Sequence, residues 1–286
     1  ITFDGVVSSD GMDDRLTLIT PQGVTQGASG SIKVDALALK GETDFTLTNV
    51  GNEIGTLAAG TTGSRVGALT VVSTGDMTIG AVDGLAGIQS SGVIDLTTTG
   101  ANLKVSKAID TPSDAVASGS GPAISLEATS SGEVQLGADI TSVGDQLYTG
   151  TARMVGDATL TAAGTNSLDA SIEFTGGMLN DSGEQILTLI SDGGITVGGS
   201  MVVDALALQG TAAVTLDNSS NEIGRIAAGT STERLKSLSV VSTGAMEVGD
   251  INGQKGIYVD DDVSLKTLGA DLTVTEAIVA DGVTTI

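Results

Sequence analysis

The feature that most constrains this chain is that it repeats itself. Val34-Asp-Ala-Leu-Ala-Leu39 recurs as Val203-Asp-Ala-Leu-Ala-Leu208, Asn52-Glu-Ile-Gly55 as Asn221-Glu-Ile-Gly224, and Val71-Val-Ser-Thr-Gly75 as Val240-Val-Ser-Thr-Gly244, at a constant offset of 169 residues. About half of the positions in 34–109 are identical to their counterparts in 203–278. Further upstream, Ile1-x-Phe3-x-Gly5 matches Ile172-x-Phe174-x-Gly176 at offset 171, because the second copy is two residues shorter in the loop near Gln22–Ser29. The chain therefore reads as a copy over 1–171 and an incomplete copy over 172–286, with 110–171 occurring once. Self-similarity of this kind belongs to repeat architectures, in which each unit buries its apolar face only against its neighbours.

Within each copy runs a shorter rhythm. Stretches such as Phe45-Thr-Leu-Thr48, Leu69-Thr-Val-Val-Ser73, Met77-Thr-Ile79 and Leu103-Lys-Val105 alternate apolar with polar residues and end on Gly, Asn or Asp. Such alternation describes half-buried strands, and those end residues are turn formers. The strongest anchors, Phe45, Leu69 and Ile94 in one copy and Val214, Leu238 and Val263 in the other, lie about 24 residues apart, so seven intervals make one 169-residue unit. Apolar spacing suited to helices is nearly absent. Together these features predict an all-β, parallel β-helix (a β-solenoid) running through 1–286 as a single continuous body of about 12 rungs. The competing architecture is a row of β-sandwiches, but these are usually built around a buried Trp or Tyr. The chain has no Trp and five aromatic residues in all, and a slim coil has little room for rings.

Composition narrows function further. There is no His and no Cys, which removes Ser-His-Asp and Cys-His catalysis, disulfides, and the metal sites that need imidazole or thiolate. The formal charge of −23 opposes contact with nucleic acid or anionic lipid. With 40% hydrophobic residues against 16% charged, the chain is too apolar for a disordered acidic tail, yet no apolar run is long enough for a membrane helix. The chain begins at Ile1 rather than Met, inside a strand that residue 172 repeats, and Val283-Thr-Thr-Ile286 also ends strand-like. We therefore expect a fragment or processed chain continuing into further rungs of the same chain or of identical subunits in a fibre.

The wording of the repeats resembles that of filamentous-haemagglutinin-like, β-strand-repeat bacterial surface adhesins. The residues that carry the likeness are Thr46-Leu-Thr-Asn49 with Asn52-Glu-Ile-Gly-Thr-Leu-Ala-Ala59, Ala68 through Gly80, and Gly144-Asp-Gln-Leu-Tyr148 running on to Gly156-Asp-Ala-Thr-Leu-Thr-Ala-Ala163 and Ile172-Glu-Phe-Thr-Gly176. The resemblance spans essentially the whole chain. It implies a long right-handed β-helix in a large secreted or outer-surface protein, extracellular, acting as adhesin stalk or matrix scaffold. The family's N-terminal secretion domain has no counterpart here, which leaves the export route and the ligand open.

Candidate sites are few. Asp10, Asp13 and Asp14 share one loop and Asp260, Asp261 and Asp262 another, and carboxylate-rich loops suit Ca²⁺. Neither loop has a calcium-roll or EF-hand pattern and the two do not correspond between copies, so solvated surface is the simpler reading. Asn49, Asn52, Asn218 and Asn221 are expected at corners, where stacked Asn side chains satisfy backbone groups. Arg65 and its counterpart Arg234 suggest a rim ion pair, and Met77 and Met246 core filling. Thr111–Pro122 reads as a protruding loop, and Thr is plentiful without holding one fixed rung position. No catalytic residue and no cofactor is expected. The alternative to a scaffold is a module binding glycans or a host surface. A polysaccharide-degrading β-helix enzyme is the remotest reading, because the clustered carboxylates and aromatic sugar platforms it needs are missing.

Overall fold

The computed structural model describes residues 1–8, 14–111, 122–164, 169–180 and 183–286. Asp10, Asp13, most of the Thr111–Pro122 loop and the Asp181-Ser182 pair lie outside the described residues.

Each turn of the chain lays down three short strands. Ile94–Thr99, Leu103–Val105 and Ile109–Thr111 form one turn, followed by Ile124–Thr129, Glu133–Leu136 and Ile140–Val143 in the next. All three pair in parallel with their equivalents one turn on: Ile94 with Ile124, Leu103 with Val134, Ile109 with Ile140. In some turns the second and third strands fuse, as in Ile32–Lys40, Glu53–Ala59 and Val202–Gln209. The first strands form one 11-stranded sheet, and the second and third line the remaining wall of the coil. This is a parallel β-helix, and apart from two small hairpins and a local Thr61–Ser64 bridge the described pairings are parallel.

The predicted anchors stack as the rhythm requires. Phe45 pairs with Leu69 and Leu69 with Ile94; in the second copy Val214 pairs with Leu238 and Leu238 with Val263. Between them the column continues through Ile124, Gln146, Ile172 and Ile195, so Phe45 and Val214 stand seven turns apart. The coil makes about eleven turns, in keeping with the twelve or so rungs expected. Before Phe45 the same wall continues through the Val24–Phe45 bridge into the short strand Thr25–Gln26, which pairs with Thr2–Phe3, and along this column turn length varies from 19 residues (Ile195 to Val214) to 30 (Ile94 to Ile124).

Inward residues form an apolar core that runs the length of the coil. Leu37, Leu57, Ile79, Val105 and Leu136 make one fully buried column, and Leu39, Ala59, Ile88, Ile109, Ile140 and Leu160 another. Each full burial of a Leu or Ile supplies about 1.5–3 kcal/mol. Met77 and Met246 sit in this core, as expected of flexible thioethers that fill irregular gaps. The coil has more room for rings than expected. Phe45, Tyr148 and Phe174 are its largest fully buried side chains, and Tyr148 stacks on Phe174 with centroids 4.8 Å apart. Beside them Gln146 occupies an anchor position. It donates to the Ile140 and Thr161 carbonyls and to Ser142 Oγ, and accepts from the Tyr148 hydroxyl at 2.7 Å, so its burial leaves no polar atom unpaired.

Two hairpins interrupt the coil at equivalent places. Ala81–Val82 with Leu85–Ala86, and Asp250–Ile251 with Gln254–Lys255, each enclose a two-residue loop. Asp83-Gly84 and Asn252-Gly253 form those loops with φ of 51°, 78°, 52° and 88°. Positive φ at both loop residues is the type I′ pattern that matches strand twist. The first hairpin folds over the outside of the wall, where Val82 and Leu85 bury Ala38 and Ala58; in the second copy Ile251 covers Ala205, Ala207 and Ala227. This explains why Val34-Asp-Ala-Leu-Ala-Leu39 is apolar on both faces: its leucines face the core and its alanines lie under a hairpin.

Candidate functional surface

Corner asparagines tie neighbouring turns together. Asn52 is fully buried; its Oδ1 accepts from the Ile32 amide at 2.9 Å and from Gln26 Nε2, and its Nδ2 donates to the Leu47 and Val72 carbonyls. Asn221 repeats the core of this arrangement, accepting from the Met201 amide and donating to the Leu216 carbonyl. Asn49 and Asn218 instead close the turn locally, accepting from the Gly51 and Ser220 amides; Asn49 also donates to the Ala28 carbonyl of the preceding turn.

A second set of clamps was not anticipated. Asp44, Asp76, Asp139, Asp145, Asp157 and Asp262 each accept, through Oδ1, a backbone amide at 2.7–2.9 Å. Every one of them immediately precedes a buried strand residue, and the amide it takes belongs to the equivalent residue one turn later: Ala68 for Asp44, Asn102 for Asp76, Thr159 for Asp139. Asn102 does the same for the Glu133 amide. At these corners the carboxylate replaces a ladder bond, so part of the acidity serves the register of the coil. The signal in the sequence is an Asp directly before an anchor.

The acidic triplets are placed as follows. Asp14 is half-buried, and its amide donates to Asp35 Oδ2 at 3.1 Å. Asp260, Asp261 and Asp262 are exposed; Asp261 pairs with Lys236 at 2.9 Å, and the Asp262 carboxylate accepts the Val283 amide. Among the described residues no group of three or more acidic side chains converges on a point suited to a metal. Arg65 fastens a rim: it donates to the Ser90 and Asp110 carbonyls and to Asp110 Oδ2 at 2.8 Å. Arg234 makes the matching contact with the Val259 carbonyl and reaches Asp281.

Shifted titration follows these ties. Arg153, bound to Glu133 through two nitrogens at 2.6 and 2.7 Å, holds that carboxyl below the usual carboxylate range. Hydrogen bonds from Lys40 and Thr17 do the same to Asp83, and Asp261 raises Lys236. Burial pushes the Tyr148 phenol well up, and it pushes up the carboxyl of Asp95, half-buried on the outer face of the 11-stranded sheet.

Clefts mark the outer wall. One of about 570 Å³ is bounded by Glu184, Asp204, Gly224, Arg225, Glu247 and the second hairpin; another of about 310 Å³ lies over Lys33, Asp35, Glu53 and Gly55. Both share a floor at repeat-equivalent residues, Asp35 with Gly55 and Asp204 with Gly224. A Cβ on Gly55 would come within 2.8 Å of the Asp35 carbonyl oxygen, and one on Gly224 within 2.7 Å of that of Asp204, which keeps these outward positions bare. In the larger cleft Arg225 pairs with Glu247 at 3.3 Å. On the wall of the 11-stranded sheet, hydroxyl residues share one outward rung position in two runs, Thr46 and Thr70, then Thr215, Ser239, Ser264 and Thr285, although Thr alone does not hold it. Asp95, Leu147 and Glu173 interrupt it between the two runs. The column eluded sequence reading because turn length varies.

No protein-family model matches the chain, and neither a curated protein nor a solved structure is significantly similar to it.

Proposed function

We propose that this chain is a structural segment of a large secreted bacterial surface or matrix protein, serving as an adhesin stalk or extracellular filament scaffold. The observation that carries this reading is where the polar side chains are spent. Asn52, Asn221, the six clamping aspartates and Arg65 all bind the backbone of the next or preceding turn. A coil that commits these side chains to its own axial continuity suits load-bearing. Hydrogen bonds of the ladder run along the axis, so tension is shared among three strands at every turn. The resemblance to filamentous-haemagglutinin-like adhesins supports an extracellular location, and the −23 charge resists side-by-side sticking of strand-rich rods. On this reading the chain is not an enzyme, and its partners are neighbouring rungs, of the same chain or of identical subunits.

The test is electron microscopy of surface material from the producing cells, with an antibody raised against this chain. Labelled fibres whose axial repeat is about 34 Å, seven turns at strand spacing, support the proposal. Labelling confined to compact intracellular particles overturns it. The cleft of about 570 Å³ beside the second hairpin favours one alternative, a face that recognises glycans or a host surface. Glycan-array binding that is lost on filling the cleft with Gly224→Trp, in a variant that still folds, would promote that reading over the scaffold.

A further inference from the structure

Asn252-Gly253 is the single Asn-Gly dipeptide in the chain, and it forms the exposed loop of the second hairpin. We propose that Asn252 is a modification site, spontaneously deamidating through a succinimide, and that the Asp250 carboxylate holds the reaction in check. The Gly253 backbone nitrogen, after losing its proton, attacks Cγ of Asn252; the Cγ–Nδ2 bond breaks and ammonia leaves. Water then opens the ring at either carbonyl to give Asp or isoAsp, so the net change consumes one water and releases one ammonia.

Two local observations set the rate. Gly253 has no side chain, and the place a Cβ would take has no atom within 4 Å, so nothing shields its nitrogen sterically. That nitrogen nevertheless donates to Asp250 Oδ1 at 2.7 Å. A charge-assisted bond of this length must break before the N–H can be deprotonated, and the neighbouring negative charge opposes that deprotonation.

The first copy provides an internal comparison. Its equivalent loop is Asp83-Gly84 in the same left-handed conformation, and the residue equivalent to Asp250 is Ala81. The guard therefore accompanies the amide and is missing where the acid already stands. Asp83 is accommodated by Lys40 at 2.6 Å and by the Thr17 hydroxyl at 3.1 Å. In the second copy the residue equivalent to Lys40 is Gln209, which donates instead to Gln254 Oε1 at 2.9 Å. An aspartate formed at 252 would lack that cation and would stand next to Asp250, whose own carboxylate pairs with the exposed Lys255 at 3.6 Å. Deamidation thus loosens the one hairpin that covers Ala205, Ala207 and Ala227.

The experiment incubates the folded chain at mildly alkaline pH and follows residue 252 by peptide mass spectrometry, with Asp and isoAsp products separated and the urea-unfolded chain as reference. The unfolded chain converts readily, the folded wild type at least about tenfold more slowly, and Asp250→Ala loses about tenfold of that protection while Asp250→Asn falls between. In a second arm, Asn252→Asp speeds hydrogen exchange of the hairpin amides and adding Gln209→Lys reverses the effect. Equal rates in wild type and both Asp250 variants, or equal rates folded and unfolded, overturn the proposal.

Discussion

Asn52 and Asn221 stand at equivalent corners but carry unequal loads. Asn52 also engages Gln26, which accepts from Asn52 Nδ2 at 3.0 Å and lies in the loop where the second copy is shorter. Replacing Asn52 by Ala strands the Ile32 amide and the Leu47 and Val72 carbonyls in the core, and the expected loss is about 3 kcal/mol or more. Asn221→Ala, with fewer dependants, should cost about 2 kcal/mol. Urea titrations of both variants check the order. Asp95 gives a prediction of opposite sign. Burial raises its folded-state pKa above the unfolded value, so the folded chain binds the proton more tightly. Its contribution therefore favours folding at low pH and is lost as pH rises through the folded pKa. Asp95→Asn should be more stable than wild type at neutral pH, with the difference vanishing as pH falls below the ordinary carboxylate range. Melting curves across that range decide it.

At the scale of elements, the hairpins test whether the outer alanines need cover. Val82→Asp in the first copy and Ile251→Asp in the second place a charge against Ala38 and Ala58, or against Ala205 and Ala227. Each should forfeit roughly the 1.5–3 kcal/mol of a buried aliphatic side chain. Each should also expose its own hairpin to limited proteolysis while the coil stays folded. The strands themselves were legible in the sequence because alternation marks them wherever one face is buried, and Phe45, Leu69 and Ile94 pair as their spacing demands. The hairpins were not read, although Val82-Asp-Gly-Leu85 and Ile251-Asn-Gly-Gln254 carry the two-residue loop signature. Their strands are only two residues long, too short to show a period. The aspartate clamps escaped notice for a different reason. Each reaches an amide roughly 20 to 30 residues away, and that partner is unknown until the register is fixed. Gln146 was equally opaque, because a polar residue in an apolar column makes sense only once Tyr148 and Ser142 are seen around it.

For the whole molecule, the long repeat and the short rhythm are one fact. Seven turns separate Phe45 from Val214, so each copy places its Asn corner, its bare Gly floor and its hairpin at matching positions along the wall. Turns of 19 to 30 residues are absorbed at corners, and the three-strand ladder holds register across them. The central claim is therefore a distance. The chain contains no Cys, so Thr46→Cys with Thr215→Cys introduces two unique labelling points, both exposed and on the same wall. Pulsed electron-spin resonance between nitroxides at these positions should give a narrow distribution near 34 Å, seven turns at about 4.8 Å each. A broad distribution, or a narrow one centred far from that value, would mean that the two copies are separate bodies and that the continuous coil is wrong.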